Sequence, residues 1–326
     1  MMKTGYIILL VVGAAVSIPP PDDQLHIYAL PVGQGDSTVV QCPKADNGMI
    51  SIIDMGSSKS TGFSKDDALR YLSGQEIKLI MLTHSDADHI NFIQPLLDTY
   101  QKDSVPVYHS CQWSRYRISS DKAVPHRVSK CCGIEGCNTE LVLCPNSNAV
   151  LQVVGSELSN CGRKRNRDSI LAIVKYKGVK TLVVGDFEGT KTFIRKYLDC
   201  VGHAPNSELQ SDIYRLSHHG AWNRLANRRE FLAAVDAKYV FSSSGLKSNY
   251  KHPRCELYDI YKGRVAVEEK YHQYTWYKKY GGAITYYIND AIYVTSVINS
   301  EGSINNYIIY FNINNNGKIQ SGITVV

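Results

Sequence analysis

The apolar run Ile77-Lys78-Leu79-Ile80-Met81-Leu82, followed at once by Thr83-His84-Ser85-Asp86-Ala87-Asp88-His89, leaves this chain few ways to fold. A run that short and that apolar reads as a buried strand. Four possible metal ligands then fall within six residues, 84–89. Alternate side chains of extended backbone share a face, so His84 and Asp86 can point at one site. Asp88 and His89 enter where the chain turns into a helix expected over 90–100, and Asp88 is also placed to cap it. A lone His near an Asp says little. Two of each behind a buried strand are the donors of a metal centre rather than of a solvated loop.

The same device recurs twice. A strand expected over 180–184 delivers Gly185-Asp186-Phe187-Glu188-Gly189, and one over 212–216 ends in Ser217-His218-His219-Gly220. Strand ends on one edge of a sheet converge in space, and open sheets place their sites there. The remaining elements follow from periodicity and turn chemistry. Residues 26–31 and 37–42 read as a hairpin about the glycine turn Val32-Gly33-Gln34-Gly35-Asp36. A third strand, 49–53, ends at Asp54-Met55-Gly56-Ser57. A helix over 64–72 has Ser64 as its N-cap. Later come a strand at 169–176, a helix at 190–198, a helix at 228–235 and a strand at 239–243. A loop over 244–251 then leads to His252-Pro253 and a helix at 254–261. Strands at 283–288, 292–298 and 307–313, with turns at Gly281-Gly282, Asn289-Asp290 and Gly302, close the chain. Their tyrosine–polar alternation reads as the outer face of an antiparallel sheet, with a carbohydrate- or base-stacking platform as the alternative.

With 326 residues, 44% of them hydrophobic, the chain is long enough for a full core. Lys3, the apolar stretch 5–16 and Ala15-Val16-Ser17 have the form of a secretory signal peptide over 1–17, too short to span a bilayer comfortably. The mature protein is therefore expected to be soluble and secreted. Nine cysteines fit that compartment, and five of them (Cys111, Cys131, Cys132, Cys137 and Cys144) crowd into one stretch. With Pro106, Pro125 and Pro145 they suggest an irregular, disulfide-stapled insert at about 101–162. The alternative is a second zinc site built from Cys131, Cys132, Cys137 and Cys144. The odd count leaves one cysteine over. A net charge of +6 permits an anionic substrate without demanding one.

Thr83-His84-Ser85-Asp86-Ala87-Asp88-His89 resembles the metal motif of the metallo-β-lactamase superfamily, His-x-His-x-Asp-His, with Asp86 in place of the second histidine. That replacement resembles the ComEC-like branch, the soluble domain of the bacterial DNA-uptake channel. Gly33-Gln34-Gly35-Asp36, Asp54, Asn166-Arg167-Asp168-Ser169, Gly185-Asp186, Ser217-His218-His219-Gly220, Asn249-Tyr250-Lys251-His252-Pro253 and Tyr280-Gly281-Gly282 follow in the branch's order. The likeness covers about 25–288, and no channel-forming part is present. It implies an α+β fold, the four-layer αββα sandwich of the metallo-β-lactamase type. The domain would run from 23 to 288, with the cysteine-rich insert inside it and a β-rich extension over 289–326.

The resemblance also implies the site. Two divalent ions share Asp186, one taking His84 and Asp86, the other Asp88, His89 and His219. His218 is left to face the substrate, because adjacent residues at a strand end diverge. Asp54 stands behind the ligands and orients a histidine, with Asp36, Asn166 and Asp168 in the same outer ring. Asn166 stands where the family usually has a histidine, so the first ion would sit among oxygens, and manganese or magnesium rivals zinc there. Such a pair activates a water for attack, and phosphodiester hydrolysis suits it. Asp88, His218 and His252 would serve the chemistry, His252 protonating the leaving oxygen or binding phosphate. Arg163, Lys164, Arg165 and Arg167 would grip flanking phosphates, with Arg224, Arg228 and Arg229 extending the basic rim. A secreted nuclease or phosphodiesterase acting on nucleic acid is thus the first expectation. A metallohydrolase of a small ester, lactone or amide is the second, and a non-catalytic binding protein the third.

Overall fold

A computed structural model of the chain describes residues 17–59, 62–163, 165–223, 225–244, 252–262, 273–277, 283–287, 292–298 and 303–326. All but the last residue of the expected signal segment, Lys164, Arg224, Asn249-Tyr250-Lys251, Tyr280-Gly281-Gly282 and the turns at Asn289-Asp290 and Gly302 lie outside them.

The strand β1 (Leu25–Ala29) pairs antiparallel with β2 (Gln34–Gln41), and β2 with β3 (Ile50–Lys59). After α1 (Lys65–Tyr71), β4 (Ile77–Leu82) adds parallel to β3. Helices α2 (Ala87–Ile90) and α3 (Ile93–Tyr100) lead to β5 (Val105–His109) and β6 (Ala123–Arg127), which extend the same sheet in parallel. The second sheet starts with β7 (Cys131–Cys132), α4 (Ile134–Cys137), β8 (Glu140–Cys144) and β9 (Ala149–Ser156). It continues through β10 (Leu171–Tyr176), β11 (Val179–Val183), α5 (Lys191–Val201), β12 (Ile213–Arg215), α6 (Arg229–Val235), β13 (Tyr239–Ser242) and α7 (Cys255–Tyr261). A hairpin of β14 (Gln273–Tyr277) and β15 (Ala283–Tyr287) stands apart, and β16 (Tyr293–Val294) joins the second sheet beside β13. Finally β17 (Ser296–Ile298), β18 (Ile304–Ile313) and β19 (Ile319–Val325) return to the first sheet.

Period-2 alternation makes the layers. On β10, Leu171 and Ile173 pack with α5, α6 and α7, whereas Ala172 and Val174 face the other sheet. On the first sheet, Ile52 and Ile80 meet α1 and α3, while Ile53, Leu79 and Met81 face inward. Three apolar layers therefore separate four layers of structure, the expected αββα sandwich. Ser64 caps α1 as its sequence suggests, in a reciprocal capping box with Asp67.

Several expectations need correcting. The glycine turn is confined to Val32-Gly33, because residues from Gln34 already pair with β3. The strand after Asp54 continues to Lys59 for the same reason. The helix expected over 90–100 is two helices, and α2 begins at Ala87. Asp88 lies inside α2 rather than capping the next helix, and Asp86 occupies the N-cap position without a side-chain cap bond. The stretch 101–162 is not an irregular insert: β5 and β6 complete one sheet, and β7, β8 and β9 open the other. Within the β-rich C-terminal region, β18 covers the outer edge of β1 over Leu25–Ala29.

The disulfides explain why the cysteines obscured this. Cys111–Cys161 and Cys131–Cys137 close within the stretch, while Cys42–Cys144 and Cys132–Cys200 fasten it to the end of β2 and to α5. All four candidate zinc cysteines are consumed in these bonds, so the second zinc site does not form. Cys255 is in no disulfide and is buried in the core. Four disulfides point to folding in an oxidising environment. Among the described residues, no helix is long and apolar enough to cross a membrane.

Candidate metal centre

The parallel halves of both sheets end at one edge, and five segments meet there. From the first sheet comes Asp54, the extra residue of a β-bulge: Thr38 pairs Ile53, Ser37 pairs Met55, and Asp54 between them has a left-handed φ of 56°. The bulge turns a carboxylate out of the ladder and into the site. Beyond β4 lie Thr83 and His84, and α2 carries Asp88 and His89. Helix α2 sits hard on β2 and β3 because Gly35 and Gly56 have no side chain. A Cβ at Gly56 would lie 2.7 Å from the Ile90 nitrogen, and one at Gly35 2.8 Å from the Asp88 carbonyl oxygen. From the second sheet come Asp186 and the histidine pair. Gly185, φ 52°, lets that strand end approach Thr83.

Hydrogen bonding fixes the imidazoles. The Asp54 carboxylate is fully buried and acceptor-only. It takes the Thr83 backbone N–H at 2.7 Å, the Thr83 hydroxyl at 2.5 Å and the His89 Nδ1–H at 2.7 Å. The Thr83 hydroxyl has one proton and gives it to Asp54, so at 3.1 Å His84 Nδ1–H must donate to the Thr83 oxygen. His219 Nδ1–H donates to the Ser243 carbonyl at 2.8 Å. All three rings thereby turn Nε2 lone pairs towards the middle. Those three Nε2 atoms and Asp186 Oδ1 are buried with no hydrogen-bond partner among the described residues.

Asp186 stands at the centre. Its oxygens lie 3.1 Å from His89 Nε2, 3.5 Å from His219 Nε2, 3.7 Å from His218 Nε2 and 4.0 Å from His84 Nε2. Asp88 Oδ2 is 3.4 Å from His219 Nε2, and Asp86 Oδ2 is 3.7 Å from His84 Nε2. Lone pairs facing a carboxylate repel unless a positive charge lies between them. Burial opposes charge on His89, yet the Asp186 and Asp54 carboxylates raise its pKa well above the ordinary value. Burial also works against the Asp186 anion, but His219, His89 and His218 hold its carboxyl well below the usual range. Asp88 is held at about 2, burial being outweighed by the close approach of His219 and by the charge of His89 and His219. Burial, reinforced by His89, pushes His84 down to about 4. Asp88, His89 and His219 place donor atoms within 4.8 Å of one another, and so do Asp54, His84 and His89. Asp54 is already saturated with protein donors, so the former group fits a cation and the latter describes the support behind it. A divalent ion fits this donor set.

The histidine pair departs from the strand-end argument. His218 and His219 both have left-handed backbone, φ 52° and 53°, so the chain turns there and both rings face Asp186. His219 is buried, whereas His218 is 28% exposed and lies 3.4 Å from Glu188 Oε2. Burial works against its charge, but Asp186 and Glu188 raise its pKa. His252 packs edge-on to His218 at 6.1 Å, and burial with His219, His218 and Arg254 nearby pushes it down to about 3.

The outer ring divides. Asp36 lies 2.6 Å from Arg215, whose fully buried guanidinium also donates to the Gly185 carbonyl. Asp168 instead caps Ser159, through its backbone N–H and hydroxyl at 2.7 Å each, and so holds a loop rather than a histidine. Asn166 accepts the Ser169 backbone N–H through its own carbonyl. Arg165 pairs with Asp86 at 2.8 Å, Arg163 is exposed, and Arg167 lies over the Phe193 ring. Arg228 approaches Glu230 and Arg229 lies over Trp222. Sequence reasoning passed over Thr83, Arg215, Glu188 and Ser243. Only Arg215 carried a signal, as a cation in the inward register of a buried strand.

The sequence model of the metallo-beta-lactamase superfamily matches residues 30–130. No curated protein shows significant sequence similarity. Among solved structures, the metallo-beta-lactamase fold protein YhfI from Bacillus subtilis is 11% identical, with a TM-score of 0.48 over 80% of this chain and 100% of its own. Human tRNase Z, short form, is 15% identical, with a TM-score of 0.41 over 68% of this chain and 92% of its own. The flavodiiron protein from Giardia intestinalis is 12% identical, with a TM-score of 0.32 over 48% and 34%. The match over residues 30–130, which spans the bulged Asp54 and the His/Asp motif, supports the metallo-β-lactamase superfamily, and the chain has that type of fold.

Proposed function

We propose that this protein is a secreted, metal-dependent phosphodiesterase acting on nucleic acid, akin to the soluble domain of the ComEC-like branch. The observation that carries the metal centre is that three buried Nε2 atoms, those of His84, His89 and His219, and a buried Asp186 oxygen gather around Asp186. In this reading His84, Asp86 and Asp186 hold one divalent ion, and Asp88, His89, Asp186 and His219 hold the other. Zinc suits the second set, while manganese or magnesium suits the oxygen-richer first. Bound there, such ions supply positive charge to a phosphoryl oxygen and ready a water for attack.

The chain's own residues do the rest. Asp54, Thr83 and the Ser243 carbonyl keep the imidazoles in one tautomer and orientation. Asp186 ties the two sets of ligands. His218, half-buried and beside Glu188, is the group that hands a proton to the leaving oxygen. Arg165 and Arg163, at the site's rim, favour a phosphate diester over a neutral ester or lactone.

The test is a substrate panel of DNA, RNA, a generic phosphodiester and a lactone, each with manganese, magnesium and zinc, beside Asp186→Ala and Asp88→Ala. Metal-dependent phosphodiester cleavage lost in both variants is the expected result. Cleavage that survives both substitutions would remove the mechanism, and turnover of the lactone alone would replace the substrate class.

A further inference from the structure

Beside the metal centre, on the side of His84 and Asp86, lies a cavity of about 850 Å³ that the metal ligands do not line. Arg115, Arg117, Arg163 and Arg165 wall it, and no carboxylate is among its lining residues. One wall includes Cys161, which is tied to Cys111 by a disulfide, and Arg115 anchors that wall by donating to the Cys161 carbonyl at 2.5 Å and the Gly162 carbonyl at 3.3 Å. The opposite wall comes from α2 and α3 through Ala87, Ile90, Asn91 and Gln94.

We infer that this cavity binds the phosphates of one or two nucleotides on one side of the scissile bond, without regard to base identity. The inference rests on the phosphodiesterase reading and deepens it. Its volume lies within the range of ligand pockets, roughly 300–1,000 Å³, and four guanidiniums, of which Arg165 is paired with Asp86, suit a polyanion. What excludes base readout is how the cavity's amides are engaged. Asn91 donates to the Ser57 carbonyl and accepts the Ser57 N–H. Gln94 accepts the Ser119 and Ser120 N–H groups and donates to Asp98. Neither amide has its edge to offer a base. Arg117 and Arg163, both exposed, make no protein hydrogen bond among the described residues, so their donors face the cavity's solvent. Charge, not edge pattern, is what the cavity can read. Arg165 links it to the metal centre by its 2.8 Å bond to Asp86, so a strand seated there continues past the first set of ligands.

The test is binding rather than turnover. Fluorescent single strands of two, four, six and eight nucleotides, in poly-dT and mixed sequences, are titrated against the full chain in EDTA and again with calcium. Wild type should tighten by an order of magnitude or more from two to four nucleotides, equally for every sequence, and then level off. The double variant Arg117→Ala/Arg163→Ala should lose that gain, and its log affinity against log salt should flatten by about 1.4. Charge reversal, Arg117→Glu/Arg163→Glu, should weaken binding further, and an unshifted melting temperature certifies that both variants fold. Length-independent binding in wild type, a variant with the full length gain, or affinities differing tenfold between sequences would each overturn the inference. Cleavage is assayed separately. If no phosphodiester is cut while the length series behaves as described, the phosphodiesterase reading fails and the cavity stands.

Discussion

Replacing Asp54 with asparagine isolates the support behind the ligands. Asparagine tolerates the left-handed backbone at this bulge, so the change is confined to one carboxylate oxygen becoming an NH2. Three donors converge on that carboxylate, and asparagine can accept from only one of its two positions. If the NH2 takes the Oδ1 position it faces the Thr83 backbone N–H, which cannot turn away. If it takes the Oδ2 position it faces His89 Nδ1, and the ring must move its proton to Nε2, blanking the lone pair that points at Asp186. Losing one charge-assisted bond costs about 1.5–3 kcal/mol, and leaving a buried donor unmet costs about 1–3 kcal/mol more. The metal-free variant should therefore be less stable by about 3–5 kcal/mol in a denaturant titration. Metal affinity should fall about 10–100-fold, the usual effect of removing the partner of a ligating histidine. Competition against a chromophoric chelator reads the affinity directly. Affinity within twofold of wild type would show that Asp54 does not orient His89 for a cation.

Two further outcomes follow from the same geometry. Removing Cys42–Cys144, which closes a separation of 102 residues, by the double serine variant should cost about 4–5 kcal/mol, roughly twice the loss for Cys131–Cys137 with its separation of 6. Equal losses in urea titrations would contradict the chain-entropy account. The metal-free protein should also be most stable near pH 6.5. The folded pKa values of His84 and His252 are depressed to about 4 and about 3, so the unfolded chain binds protons first, and stability falls by a few kcal/mol as pH drops from 6.5 towards 4. Those of His89 and His218 are raised, so their contribution is present below pH 6.5 and is lost as pH rises through the folded values. Stability that climbs on acidification below pH 6.5 would refute this assignment of charge.

The strands and helices that carry ligands were legible because each depends on local pattern. An apolar run such as 77–82 ends abruptly in His and Asp residues, and that contrast survives any tertiary arrangement. What was not legible depended on pairing. The bulge that aims Asp54 exists only because β2 and β3 are out of step by one residue, which no local signal records. The turn at His218-His219 defeats an argument from strand alternation, since both residues leave extended backbone. Residues 101–162 looked irregular because cysteines and prolines interrupt their apolar pattern, yet four disulfides supply order that periodicity does not show. Asp168 and Arg167, close in sequence to the site, answer to Ser159 and Phe193 instead.

The ligand-type side chains are shared between the two sheets: His84, Asp88 and His89 belong to one, Asp186 and His219 to the other. An ion seated among them is thus a rivet through the sandwich as well as a reagent. Its binding energy adds to the cohesion between the halves in proportion to its affinity and concentration. Chelation would loosen the seam at one edge first, so loss of the ion would empty the site and expose the chain to proteases in a single event.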